Sequence, residues 1–303
     1  MININKNIKS PLNYIGGKHK LLNQLLPLFP NNIDNFVDLF SGGCNVAVNI
    51  NSNKVYCNDN LIFLIEMFND FKSKGYRKVL SHVEQRIKQF DLSLTNTVGY
   101  IELRREYNKN KKPLDLFVLT AYSFNHQIRF NNSHEFNNPF GKNRSCFNER
   151  MKYNLKNFID EVENKDIIFS NSSFEEFDTS FLKGEDFVYC DPPYLITTGT
   201  YNDGKRGFKG WGEKEELILL EKLDELDKKN IKFGLSNVIE HKGKENVLLK
   251  KWLNKNPNYK INYLNFDYSN SNYQTFIKDK KSSIEVFITN YKPDDYVQIK
   301  LPA

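Results

Sequence analysis

Cysteine is scarce, and the four that occur, Cys44, Cys57, Cys146 and Cys190, show no C-x-x-C pairing and no nearby histidine at zinc-ligand spacing. That leaves neither a metal framework nor a disulfide scaffold and fits a reducing compartment. The first residues, MININKNIKSPLNY, lack an apolar signal region, and no run approaches the ~18 apolar residues of a membrane span. A cytoplasmic protein with no membrane partner is expected. His19, His82, His126, His134 and His241 share no spacing, so no Ser-His-Asp or Cys-His grouping is legible, and no carboxylate cluster suggests a metal-dependent nuclease. Internal repeats and low-complexity linkers are absent. Alanine stands only at positions 47, 121 and 303 while Asn, Lys and Ile abound, a bias of an A/T-rich coding genome that carries no functional meaning.

What is present is ordinary globular composition: 303 residues, 39% hydrophobic and 26% charged, with 24 Phe and 16 Tyr. Such a chain holds a large core and is not disordered. The formal charge of +6 comes from 43 basic and 37 acidic residues. Residues 61–165 carry 18 Lys/Arg against 12 Asp/Glu, so the flanks are neutral and the middle holds the whole excess. An anionic partner is therefore expected at that middle segment.

Seven short β-rich runs are expected as strands: Asn35 to Phe40, Lys54 to Cys57, Asp166 to Ser170, Asp186 to Cys190, Lys232 to Leu235, Lys260 to Phe266 and Ser283 to Thr289. Several are almost continuously apolar, as strands covered on both faces are. Helical patterns lie between them, at Lys18 to Phe29 and at Glu213 to Lys229, where Leu217, Leu220, Leu223 and Leu226 recur. The alternation predicts an α/β, doubly wound sheet. It stops between about Leu61 and Lys165, where helices are expected at Leu61 to Phe71, Val79 to Phe90, Tyr100 to Asn108 and Asp115 to Asn125, followed by the Asn-rich stretch Arg129 to Arg144. The chain is thus expected to divide into residues 1–60 with 166–303 as one domain and an inserted, mostly helical domain at 61–165.

Asp191-Pro192-Pro193-Tyr194 directly follows an apolar strand, at the carboxyl end where open α/β sheets place ligands. By chance this tetrapeptide occurs in about one chain in a thousand of this length. A rigid turn is the plain alternative. The chemical reading is that the prolines fix a carboxylate and a carbonyl while the tyrosine offers a ring face. Two such acceptors suit an exocyclic amine on a planar base: they hold both its protons and direct the nitrogen lone pair at an electrophile. Asp191, Pro192 and Tyr194 are the candidate catalytic residues.

Residues 36–45, FVDLFSGGCN, run from a strand into a glycine turn. Gly42 and Gly43 either permit close backbone approach to a ligand or simply make a tight turn. Asp59 lies 17 residues beyond Gly42, near the ~20-residue offset at which an acid binds ribose hydroxyls, though a solvated turn acid is also open. Together the two segments favour an adenosyl-containing cofactor. Residues 11–18, PLNYIGGK, lack the GxxxxGK[ST] spacing of a phosphate loop and read as a ligand-covering turn.

In this order the three segments resemble the Dam-type adenine-specific DNA methyltransferases. The resemblance spans roughly Ser10 to Lys292 and includes residues 136–141, FNNPFG, which look like the family's recognition hairpin, Leu235-Ser236-Asn237, and the closing strand 285–291, EVFITNY. It implies a Rossmann-like S-adenosylmethionine-dependent sheet of about seven strands with an inserted DNA-recognition domain. Tyr14, Lys18, Asp38, Gly42, Gly43, Asp59 and Asp191 would line the S-adenosylmethionine pocket, with Tyr194 stacking on the base. There are departures: Cys44 replaces the turn's later glycine, Tyr14 stands where Trp is common, and Ser172 and Ser173 occupy the place of an acidic residue near the cofactor adenine.

For DNA, Arg129 resembles a placed arginine of the family's hairpin, Asn131 offers an adenine-reading amide, and Phe136, Asn137 and Pro139 belong to the hairpin itself. Phe136 and Phe140 either fill the space of a flipped base or pack under the hairpin, packing being favoured. Lys205, Arg206 and Lys209, in the polar stretch Asn202 to Trp211, are candidates for ordering over DNA. The expectation is therefore an adenine methyltransferase acting on a flipped base in a short duplex sequence, with no metal, in a restriction-modification system whose endonuclease is a genetic partner. The alternatives are cytosine-amine methylation, a stand-alone regulatory adenine methylase, an RNA methyltransferase and a catalytically inactive DNA-binding relative.

Overall fold

Phe187, Val188, Tyr189 and Cys190 are all buried, and this four-residue strand stands mid-sheet with both faces covered. In the computed structural model, which describes residues 7–197, 210–265 and 283–293, the strands are β1 (Asn35–Asp38), β2 (Lys54–Asn58), β3 (Ile167–Ser170), β4 (Phe187–Cys190), β5 (Lys232–His241), β6 (Lys244–Glu245), β7 (Lys260–Leu264) and β8 (Ser283–Thr289). Their order is β3-β2-β1-β4-β5-β8-β7, with the two-residue β6 paired to β5. The first five in that order are parallel, and β8 runs antiparallel between β5 and β7. The seven expected strands are present, β5 being longer than expected; Phe266 lies outside the described residues.

Alternate residues point to opposite faces of the sheet. Phe36, Val55, Cys57, Phe187 and Tyr189 join one core cluster, while Val37, Val188, Cys190, Phe233 and Leu235 join the other. The second face is covered by the helices at Glu213–Lys228 and Val247–Lys255, and the first by the segment that follows β2. Strand order reverses between β1 and β4, so the carboxyl ends of these neighbours, Asp38 and Cys190, flank a crevice where connections leave to opposite sides.

The helices are α1 (Leu22–Leu25), α2 (Ile62–Gln89), α3 (Thr97–Asn110), α4 (Pro113–Tyr122), α5 (Glu149–Asn164), α6 (Glu213–Lys228) and α7 (Val247–Lys255). The single helix expected over Lys18 to Phe29 is instead α1 between two 3-10 turns, because Pro27 has no N–H to continue an α-helical ladder. The two helices expected before and after residue 75 are present within α2 and meet directly at a kink at Gly75, which has non-helical φ 71° and ψ 166°. A Cβ there would meet Glu163 Oε1 of α5 at 2.7 Å. Leu217 of α6 is 46% exposed, and the buried stripe is Leu219, Leu220, Leu223 and Leu226. The helices α5 and α7 are additional to those expected. Asn148 caps α5 by accepting from Met151 N at 3.0 Å, and its buried face is Met151, Leu155, Phe158, Ile159 and Val162.

Residues 61–165 are helical apart from an antiparallel hairpin closed by bridges Ser123–Phe140 and Phe130–Phe136. Their core is continuous with that of the sheet: the Phe68 ring of α2 lies 5.3 Å from Phe169 of β3 and 5.4 Å from Phe158 of α5. Among the described residues no helix is long and apolar enough to cross a membrane.

Candidate active site

A cavity of about 730 Å³ opens at the carboxyl edge of β1, β2 and β4. Because these strands are parallel, each delivers its following residue to the same edge: Asp38 ends β1, Asp59 follows β2 and Asp191 follows β4. Tyr14, Lys18, Asp38, Gly42, Gly43, Asp59, Asp191, Pro192 and Tyr194 all line this one space.

The glycine turn is held from below by the next strand. Ser41 N donates to Asn58 O at 2.8 Å, Gly42 N donates to Asp59 Oδ2 at 2.9 Å, and Asp59 Oδ1 accepts from Leu61 N at 2.9 Å. Gly42 has φ +45°, and a Cβ on it would stand 2.9 Å from the Tyr14 ring. The glycines thus make room for Tyr14, which packs onto the turn. Cys44, at the place of the family's later glycine, takes a left-handed φ of 56° and donates its N–H to Ser41 O at 2.7 Å. A cysteine in that conformation costs roughly 1–2 kcal/mol, which the buried turn around it absorbs. Asn58, 1% exposed, ties this edge together: its Nδ2 donates to Leu39 O and Ser172 O at 3.2 and 3.0 Å, and its Oδ1 accepts from Ser172 N and Oγ at 3.1 and 2.9 Å.

Asp38 is 2% exposed, and its Oδ1, like Ser41 Oγ, has no hydrogen-bond partner among the described residues. Burial, then the neighbouring Asp191 and Asp59 carboxylates, hold its pKa well above the usual range. A buried carboxylate with one unpartnered oxygen beside a cavity is a ready acceptor for a cationic or amine group. The far wall is aromatic. Phe40, Phe174 and Trp211 lie with ring centroids 5.4–5.6 Å apart, and Trp211 Nε1 donates to the fully buried Glu216 at 2.8 Å.

At the opposite end, Lys18 Nζ lies 2.9 Å from Asp191 Oδ1 and 3.5 Å from Glu285 Oε1, and donates to Gly16 O at 3.1 Å. The Tyr194 hydroxyl is 3.0 Å from Asp191 Oδ1 and 3.0 Å from Glu285 Oε1. Lys18 stands 5.0 Å from the Tyr194 ring centroid. Burial raises the Asp191 pKa, the Lys18 ammonium pulls it back, and Glu285 pushes it up again. Lys18, expected along the cofactor pocket, therefore sits on the DPPY carboxylate itself.

The five hairpin candidates do not line the cavity; the hairpin reaches it through Ile128. Arg129 and Pro139 are exposed. The Asn131 side chain is engaged in its own turn, accepting from Ser133 N and Glu135 N at 3.0 and 2.9 Å and donating to Glu135 Oε2 at 2.9 Å. Asn137 N donates to Arg129 O at 3.0 Å across the hairpin. Phe136 is 1% exposed and packs edge-on against Phe130 and Tyr107, so its ring is core beneath the hairpin. The segment with Lys205, Arg206 and Lys209 lies outside the described residues. Asn58, Trp211 and Glu285 were not among the candidates; the pattern of strand ends points to Asn58, whereas nothing local marks the other two.

A family model of the D12 class N6 adenine-specific DNA methyltransferases matches residues 14–269, from Tyr14 through the glycine turn and DPPY. The chain belongs to this family. As a D12-class chain it is 52% identical over 287 residues to the Type II methyltransferase M.FokI of Planomicrobium okeanokoites, and 52% identical over 287 residues to the modification methylase StsI of Streptococcus sanguinis. Each alignment covers 95% of this chain and 43% of the relative, so the chain spans less than half the length of those two proteins. The DNA adenine methylase of Escherichia coli K12 is 25% identical over 248 residues, covering 80% of this chain and 82% of that protein. The sheet of this D12-class chain, with its antiparallel β8 between β5 and β7, is the methyltransferase fold expected from the resemblance.

Proposed function

We propose that the chain transfers the methyl group of S-adenosylmethionine to the exocyclic amine of an adenine turned out of a short duplex DNA sequence. The observation that carries this reading is one cavity lined by two neighbouring sets of acceptors: the buried Asp38 carboxylate, whose Oδ1 has no partner among the described residues, beside the glycine turn, and the Asp191-Pro192 acceptors after β4. Asp38 takes the donor's amino group, Asp59 its ribose hydroxyls, and the Phe40, Phe174 and Trp211 wall its adenine ring. When bound, S-adenosylmethionine supplies a methyl on a sulfonium, an electrophile that needs no further activation. Asp191 and the Pro192 carbonyl accept the two amine hydrogens and hold the nitrogen lone pair toward that methyl. As the N–C bond forms, the S–C bond breaks, giving S-adenosylhomocysteine, and the proton lost from nitrogen leaves by way of Asp191.

Residues 61–165, with their basic excess, bind the duplex. Phosphate neutralisation makes that binding salt-dependent and largely independent of sequence, while turning the base out costs a few kcal/mol. On the hairpin, exposed Arg129 reads a base edge, with Asn137 and Pro139 holding the hairpin's shape. Arg129→Ala is expected to weaken cognate duplex binding by about 1–3 kcal/mol and to relax selectivity at one base pair. Fluorescence anisotropy on cognate and altered duplexes checks this; unchanged affinity and selectivity would remove Arg129 from the reading set.

The relatives named as Type II and modification methylases support a place in a restriction-modification system, in which this chain marks DNA that a cognate endonuclease then spares. The soluble, metal-free reaction is read as cytoplasmic. The test is transfer of labelled methyl from S-adenosylmethionine into duplex DNA, followed by nucleoside analysis. N6-methyladenine is expected; label confined to cytosine or RNA, or none despite donor binding, sinks the proposal.

A further inference from the structure

Glu285 reaches the site from a strand remote in sequence. Because β8 runs antiparallel to β5, its first residues lie at the edge where the parallel strands end, and Glu285 pairs with Val238 of β5 on one side and Leu264 of β7 on the other. It shares a sheet face with Phe287, two residues on, whose ring lies 6.2 Å from that of Tyr189. The side chain is 2% exposed, and a buried carboxylate persists only when it is paired and hydrogen-bonded. Among the described residues its partners include two groups that also hold Asp191: the Lys18 ammonium, 3.5 Å from Glu285 Oε1 and 2.9 Å from Asp191 Oδ1, and the Tyr194 hydroxyl, 3.0 Å from both.

One ammonium thus serves two carboxylates, and the Tyr194 hydroxyl has a single hydrogen that it donates to one of them at a time. While Lys18 and Tyr194 occupy Asp191 Oδ1, that oxygen is engaged and competes poorly for an incoming amine. We propose that Glu285 is a positioning residue for Asp191, the alternate anchor that takes the Tyr194 hydroxyl and the Lys18 ammonium when the target amine takes Asp191. The exchange breaks no covalent bond: the tyrosine O–H turns from one carboxylate to the other at 3.0 Å from each, and the ammonium, 3.5 Å from Glu285 Oε1, closes on it. The inference rests on the methyl-transfer reading above. Among the described residues, the charged and titratable groups facing the pair are Lys18 from the turn after Gly17, Tyr189 and Tyr194 from β4 and its following loop, and Asp38 from β1.

Glu285→Gln keeps the shape of the side chain and removes its charge. The expected result is a kcat lowered about 10- to 100-fold, the scale of one charge-assisted hydrogen bond, with KM for donor and DNA within about threefold of wild type. The acid limb of the kcat–pH profile moves down: Glu285 raises the Asp191 pKa, so removing its charge lets Asp191 ionise at lower pH. Glu285→Asp, which retains the charge, is expected to restore the limb and part of kcat. Wild-type kcat with an unshifted limb in Glu285→Gln overturns the inference, as does equal loss in both variants without a limb shift. Should Glu285→Gln fail to fold, Glu285→Asp and the wild type decide the matter through the limb, which must coincide while kcat falls. Asp191→Ala assayed alongside keeps the two failures apart: activity retained in Asp191→Ala overturns the methyl-transfer reading itself.

Discussion

Asp191→Ala is expected to lose methyl transfer by at least about a thousandfold while the chain stays folded and binds its donor. In the proposed reading Asp191 supplies the acceptor that orients the amine and the route for its departing proton, and it directly precedes Pro192 at the cavity wall. The fold has little reason to suffer. Burial raises the Asp191 pKa above its unfolded value, so ionisation in the folded chain is disfavoured. The associated stability is present at low pH and diminishes as pH rises through that elevated pKa. At neutral pH the charge is therefore a burden, and Lys18, relieved of Asp191, keeps Glu285 at 3.5 Å. Thermal unfolding at neutral pH is expected to give a Tm no lower than wild type. Methyl incorporation with labelled donor measures the catalytic loss; retained turnover at normal rate would mean that Asp191 does not hold the amine.

Asp59→Ala should strike donor binding rather than turnover. Its two oxygens now accept from Gly42 N and Leu61 N, both at 2.9 Å, so the carboxylate fixes the glycine turn and, in the proposed reading, also meets the ribose hydroxyls. Loss of two charge-assisted hydrogen bonds, each about 1.5–3 kcal/mol, implies a donor Kd raised on the order of a hundredfold or more. With donor saturating, kcat stays within a few-fold, because in the proposed reading Asp59 meets the donor's ribose and not the reacting amine. Calorimetric titration with S-adenosylmethionine or S-adenosylhomocysteine gives the answer. A Kd within threefold of wild type would leave Asp59 as the turn anchor alone.

The pieces of this site that were legible in the sequence are those that follow a strand. FVDLF, KVYC and DFVYC announce buried strands by their apolar runs, and parallel pairing then carries Asp38, Asp59 and Asp191 to one edge. What was illegible is what depends on sheet order. Glu285 is the one charge inside the otherwise uncharged strand Ser283–Thr289, and nothing local says what it pairs with; only the antiparallel placement of β8 brings it within 3.0 Å of Tyr194. Trp211 gains its meaning from Glu216, Phe40 and Phe174, three side chains delivered by separate elements. In the hairpin, composition suggested base-reading amides, yet Asn131 spends its side chain on its own turn, as Asn commonly does in tight loops. Phe136, a hairpin candidate for which packing is the favoured role, lies in the core, because an aromatic at a bridge position faces whichever side the register assigns.

The continuity of the core from β3 through Phe68 and Phe158 bears on how target specificity can change. A wholesale exchange of residues 61–165 between relatives would strip α2 and α5 from the sheet face that Phe169 and Ile167 present. The Ser123–Phe140 bridge lies outside these contacts. If the hairpin reads DNA as proposed, a new specificity is expected to need replacement of its tip beyond that bridge, as one changes a fingertip and not the hand.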